Sequence, residues 1–316
     1  MVPIRRELSW FGQPIITYTG TLGELRNRLP AFARQALGLG DAQNEFLDLI
    51  VREPFGDEVR RIPVAAVSRQ YDLVQHRDVL DWVSEALATI GYAAHPFEGQ
   101  LTLSKYAERM HLQIGLPQFD FDPGDGKPLA LLVHAVNSVD KTTAFEISLG
   151  WWRQVCGNGL KVRVSGSGAR RIHLLGRTSA SQVAQVLKAQ LGEVPAECKR
   201  YRQWVNTPVG LKSVEDWADR SVAKAWGPHA AARVCHIART GWDGEIEDPF
   251  EKVAPHERVV RSQWHVPGAF APAENAFHVS QALSWLASHR GTIQGRFERM
   301  SEIHGLMSSL LQERRN

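Results

Sequence analysis

Several side chains in this sequence have reactive or ligating chemistry to offer. Cys156 is a candidate nucleophile with His134 or His173 as its base, because a thiol attacks once a neighbour has taken its proton. No acidic residue is placed to orient either histidine, and cysteine is common in cores, so Cys156 reads as a packed residue. Cys235-His236, with His229 and His256, offers nitrogen and sulfur for zinc. Adjacent ligands on a helix point in different directions and structural zinc spacing is missing, so no metal is expected. Asp120, Asp122 and Asp125 stand among glycines as in a calcium loop, but the closing glutamate of that loop is absent and an exposed turn is expected. Asp140, Thr142 and Thr143 have the oxygens for a metal-phosphate group. Hydrogen-bonding their own loop is the simpler use, with Asn137 beside them. No cofactor is expected.

A different chemistry is written in aromatic and cationic residues. Neighbouring strand residues face opposite ways, so if Trp151 is buried, Trp152 lies on the other face beside Arg153 or Lys161. An aromatic among cations stacks single-stranded bases while holding phosphates. Lys161, Arg163, Arg170 and Arg171 fall on an expected hairpin whose tip is Gly166-Ser167-Gly168, with Arg177 beyond it and the Asn158-Gly159 turn before it. Trp204, near Lys199, Arg200 and Arg202, repeats the theme on a helix. The charge is uneven: residues 1–150 hold 14 Lys+Arg against 19 Asp+Glu, whereas residues 151–212 hold 11 against only Glu193 and Glu197. Such a concentration is the footprint of a polyanion binder. The plainer alternative is a solvated basic face balanced by the acidic half.

These residues need a sheet to hold them. Phe145, Ile147, Leu149 and Trp151 alternate with Glu146, Ser148 and Gly150, the period of a half-buried strand. Leu129–Val136 is a more deeply covered strand, and Asn137–Thr143 connects the two as a hairpin. Gly99–Leu103 and Tyr106–Ile114 are further strands, and 117–128 is a loop. Before them, Asp78 caps a helix carrying Val79, Trp82, Val83, Ala86, Leu87 and Ile90. Thr21–Leu37 has helical spacing kinked or ended at Pro30. Helices are expected from Ser179 or Ser181 to Leu191 and over 198–205, 213–226, 228–240, 274–288 and 292–314, with 241–268 a long loop. The resulting fold class is α+β: an antiparallel meander sheet with packed helices, followed by a mainly helical C-terminal region. The expected division is an N-terminal arm over 1–63, the sheet core over 64–178 and the helical region over 179–316.

The wording N-S-x-D-x-T-T-A-F (Asn137, Ser138, Asp140, Thr142, Thr143, Ala144, Phe145), then R-x-V-C-x-N-G-L (Arg153, Val155, Cys156, Asn158, Gly159, Leu160), resembles an uncharacterised phage- and plasmid-like family common on mobile elements. The stretches SRQYDLVQHRDVLDWV and NAFHVSQALSWLASH look similar too. The resemblance runs from about Val64 to His289. That family usually has histidine or tyrosine where Val139 stands and glycine where Lys141 stands. The order of helices and strands is also distantly similar to phage single-strand annealing proteins.

The expected function is therefore a phage- or plasmid-type nucleic-acid-binding protein, acting on single-stranded or duplex DNA, with binding or annealing of single strands in recombination as its task. Two alternatives stay open: an interaction factor of a mobile element that engages an acidic host protein, and a cysteine-dependent enzyme centred on Cys156. No run approaches the 18 apolar residues of a membrane span, and the opening MVPIRRELSW lacks a signal peptide's apolar core. Three widely spaced cysteines fit a reduced, cytoplasmic protein. Ile293, Phe297, Met300, Ile303, Met307 and Leu310 form a helical stripe that either packs on its own domain or joins subunits of a homo-oligomer.

Overall fold

Alternation and turn chemistry build the centre of the molecule first. A computed structural model describes residues 9–10, 13–92, 97–124, 126–153, 162–163, 179–266, 269–289 and 293–313. In chain order these form β1 (Ser9–Trp10), β2 (Gln13–Thr21), α1 (Leu22–Arg26), β3 (Phe32–Leu39), β4 (Ala42–Arg52), β5 (Ile62–Ser68) and α2 (His76–Leu87). The strands β6 (Glu98–Ser104), β7 (Arg109–Phe121), β8 (Leu129–Ser138), β9 (Glu146–Arg153) and β10 (Val162–Arg163) follow. The remainder is α3 (Ala180–Val205), α4 (Leu211–Trp217), α5 (Ala223–Trp226), α6 (Pro228–Thr240), β11 (Trp242–Ile246), β12 (Val260–His265), α7 (Ala276–Ser288) and α8 (Ile293–Glu313). The fold is α+β, with antiparallel sheets and a C-terminal region that is mainly helical.

The main sheet has seven strands in the order β1-β2-β6-β7-β8-β9-β10, each neighbour antiparallel. One face carries Leu101, Met110, Leu112, Ile114, Val133, Ala135, Ile147, Leu149 and Trp151, all buried, and α2 and α3 pack there. Val79, Leu80, Val83 and Leu87 supply the stripe of α2, at the helical spacing of a core-facing surface. Each such side chain contributes about 1.5–3 kcal/mol on burial. A second, three-stranded sheet is β3-β4-β5.

Besides starting α2 at His76, with Gln75 and not Asp78 at the N-cap, the structure differs from the sequence reading in four places. Only Leu22–Arg26 of the expected Thr21–Leu37 helix is helical; Phe32–Leu39 is a strand paired with β4. Leu25, Leu29 and Phe32 are buried, so the apolar spacing was real but not a helical face. Second, β7 runs on to Phe121 after a register break past Leu116, leaving only 122–128 as the loop. Third, α3 is one helix that continues through Pro195; Leu187, Val194, Tyr201 and Trp204 on either side are buried, and their packing outweighs the missing hydrogen bond. Fourth, residues 241–268 contain the β11–β12 hairpin. Its irregular register at Asp243/Gly244 hides the alternation.

The C-terminal stripe resolves to core from Met300 onward, the side chains of Ile293 and Phe297 lying outside those described. Met300, Ile303, Leu306, Met307 and Leu310 are buried as α8 packs on α7 and α4. The Trp217 indole N–H donates to the Leu306 carbonyl (3.1 Å) and to Ser309 Oγ (2.9 Å). The stripe therefore belongs to its own chain and gives no support to an oligomer. Among the described residues no helix is long and apolar enough to cross a membrane.

Candidate nucleic-acid interface

The face of the sheet away from α2 and α3 is polar. Register places Thr102 opposite His111, Gln113 opposite His134, and His134 opposite Ser148, so these side chains share one surface. The two imidazoles stack with centroids 5.4 Å apart and an interplanar angle of 17°. His111 Nε2 and His134 Nδ1 lie 3.2 Å apart in a hydrogen bond that one ring donates and the other accepts. All five residues are buried, so this stretch is an internal polar layer and not an open platform.

The layer is closed at one end by the loop that carries the N-S-x-D-x-T-T wording. Arg109 donates to Asp140 from Nε (2.8 Å) and from Nη2 (2.7 Å), and to Thr142 Oγ1 from Nε (2.9 Å). Asp140 Oδ1 accepts from the Thr142 backbone and hydroxyl. Ser138 Oγ donates to the Thr143 carbonyl and accepts from the Thr143 backbone N–H. Asn137 donates to the Val74 carbonyl and to His76 Nδ1, while His76 Nε2 donates to the Ala107 carbonyl. The motif uses its oxygens to hold itself and α2 to the sheet. Burial pushes the His76 imidazole down to about 4, which keeps it neutral in this network.

The other end of the face is more open. Gly115, Leu132 and Gly150 lie in one cross-strand row, and Ala130 pairs with Trp152 beyond them. Gly115, Leu132, Ala130 and Trp152 are all partly exposed. Among the described residues a Cβ at Gly115 would have only Leu132 within reach, at 4.0 Å, so the floor there is low. Trp151 is fully buried on the opposite face against Phe121 and Tyr201, as its alternation with Trp152 requires.

On the opposite, helical face, exposed Arg202 of α3 places its guanidinium 4.9 Å from the centre of the Phe121 ring, which packs on Trp151. Lys127 lies 5.2 Å over Phe270, which is 40% exposed and stacks on His278 with centroids 4.3 Å apart. Asp120 and Asp122 are also exposed there. Asp122 is committed to the backbone N–H groups of Gly124 and Gly126, and burial holds the Asp120 carboxyl above its usual range.

Of the binding residues expected from sequence, Trp152 sits on this shelf. For Arg153 and Arg163 the backbone alone is described, Arg163 pairing with Gly150. Lys161, Arg170, Arg171, Arg177, Asn158, Gly159, Cys156 and His173 lie outside the described residues. Trp204 does not join them: it is buried against Tyr201 and His304. Val194, Glu197, Tyr201 and Trp204 recur at helical spacing on the buried side of α3, a signal that marks Trp204 as core and leaves Lys199 and Arg202 outward. Nothing in the sequence pairs Arg202 with Phe121 or Lys127 with Phe270, since each pair is made by tertiary packing.

The other reactive candidates separate. Burial raises the Cys235 thiol to about 12 and also raises Cys198, away from the nucleophilic thiolate. His236 bonds Ser262, and His256 Nδ1 bonds Asp219 at 2.5 Å. Among the described residues no group of three or more His, Cys, Asp or Glu can hold a metal.

Fold and site together define an α+β protein whose main antiparallel sheet ends, at β7, β8 and β9, in a low shelf that carries Trp152. The family model for a domain of unknown function, DUF932, matches residues 63–264, and the chain belongs to that family. No curated protein matches the chain. No solved structure matches it.

Proposed function

We propose that the protein binds nucleic acid at the shelf formed by Trp152, Ala130, Leu132 and Gly115, with single-stranded DNA as the preferred form. The observation that carries this reading is a partly exposed indole beside a glycine-floored sheet end, at the point where the chain enters its most basic stretch. A flat aromatic accepts any base by stacking, and cations along the strand hold the phosphates. A single strand can offer unpaired base faces to one indole, whereas a duplex keeps them stacked. Arg153, Lys161, Arg163, Arg170, Arg171 and Arg177 supply further phosphate contacts. Handling of single strands in the recombination of phage- or plasmid-type elements, in the cytoplasm, is the task that fits such a site.

The test is fluorescence anisotropy of a labelled oligonucleotide with the full chain. Trp152→Ala weakens binding by about 1–3 kcal/mol, the range for one stacked base. Equal affinity of the variant and the unaltered protein would remove the shelf from the account.

A further inference from the structure

The turn of the β11–β12 hairpin carries large apolar side chains that stand exposed. Phe250 is 89% exposed and Val259 56%. Exposure of this kind on a slack loop would mean little, but here the backbone is fastened. The Phe250 N–H donates to Asp248 Oδ1 (2.9 Å), and Arg258 donates to the carbonyls of Pro249 (3.2 Å) and Glu251 (3.0 Å). His229 Nε2, from the first turn of α6, donates to the Pro249 carbonyl at 3.1 Å. Glu247 N–H continues the strand pairing to the Val259 carbonyl. The Asp219–His256 contact ties the far side of the loop to the helical body. A large apolar ring is thus held out in water by a prearranged frame, which lowers the ordering cost of burying it elsewhere.

Charge decides what would cover it. Between residues 245 and 259 stand Glu245, Glu247, Asp248, Glu251 and Glu257 against only Lys252 and Arg258. All five acids are exposed, and Glu247 also meets Arg261 at 3.3 Å. The same chain holds its strongest positive excess in residues 151–212, where Lys188, Lys199 and Arg202 of α3 are exposed and Glu193 is the sole exposed acid of that helix. We propose that the 245–259 loop is a docking surface for a second copy of this chain, seating Phe250 against the cationic outer side of α3 near Lys199 and Arg202. The guanidinium of Arg202 already lies over one aromatic ring and has a second planar face for another. Loop and helix are different patches, so the contact is head-to-tail and each copy offers both halves. This inference goes beyond nucleic-acid binding and does not rest on it.

The test is sedimentation of the full chain without nucleic acid, over a concentration series at low and high salt. The expected result is association that grows with concentration and weakens with salt. Phe250→Ala reduces the association constant at least about tenfold, as for a central interface aromatic. The paired reversals Glu245→Lys/Glu251→Lys and Lys199→Glu/Arg202→Glu each abolish it, and mixing the two variants restores it. Thermal midpoints of the variants match the unaltered protein, since every changed side chain is exposed. A chain that stays monomeric at every concentration overturns the proposal. So does association untouched by Phe250→Ala, or a mixture of the two reversals that fails to associate.

Discussion

Lys141 stands at the corner of the β8–β9 loop with φ +66°, a left-handed conformation that costs a side-chain-bearing residue about 1–2 kcal/mol. Glycine, the residue usual at this place in the family resembled, removes that strain but adds about 0.5–1 kcal/mol of unfolded-state entropy. Lys141→Gly is therefore expected to stabilise the protein by about 0.5–1 kcal/mol in urea unfolding. Next to it, Asp140 pairs with Arg109, whose side chain is 9% exposed. Asp140→Ala takes away the carboxylate from a buried guanidinium and is expected to cost about 3 kcal/mol by the same assay. His76 adds a pH dependence. Its folded value of about 4 lies below the ordinary 6.5 because of burial, so the folded state binds the proton less readily than the unfolded chain. Its contribution is intact above pH 6.5 and is lost progressively as pH falls from there towards 4, up to about 3 kcal/mol. Urea midpoints between those pH values should fall more steeply for the natural protein than for His76→Gln.

At the scale of elements, α8 and the β11–β12 hairpin make opposite demands. Five buried apolar side chains of α8 (Met300, Ile303, Leu306, Met307 and Leu310) represent about 10 kcal/mol of burial, comparable to the whole stability of a domain. Removing residues 293–316 is expected to give unfolded or insoluble chain; a folded, smaller species in light scattering would reverse that assignment. In the hairpin, a Cβ at Gly244 would fall 1.7 Å from the Arg261 carbonyl oxygen, so Gly244→Ala must break the strand pairing. The expected loss exceeds about 2 kcal/mol in urea unfolding, and it abolishes presentation of Phe250. Legibility followed the same division. The helices α2, α6, α7 and α8 and the strands β6, β8 and β9 could be read because one period governs each. Strand β3 was misread as helix because Leu25, Leu29 and Phe32 have helical spacing by coincidence while packing from a short helix, a turn and a strand. The gap expected between Leu191 and residue 198 is bridged by one helix whose tertiary packing carries it through Pro195. The bulge at Gly244 erased the alternation that would have marked a hairpin. Of the site, Trp152 was readable from alternation with Trp151, whereas the rings beneath Arg202 and Lys127 come from distant segments and leave no trace in local spacing.

For the molecule as a whole, the governing fact is the separation of charge: acidic residues prevail in the first half, and the excess of cations begins at the end of β9. Both proposals draw on that excess, one setting nucleic acid on it and the other a neighbouring acidic loop. The claim that matters most is that phosphate contacts carry the binding, and counterion release makes it measurable. The decisive measurement is the affinity for a single-stranded oligonucleotide as a function of salt, for the natural protein and for the variant with Lys161, Arg163, Arg170 and Arg171 all changed to alanine. Log affinity should fall linearly with log salt, and the variant should bind more weakly with a slope shallower by about 3, near 0.7 for each phosphate no longer neutralised. A folded variant with the same affinity and the same slope would contradict the account.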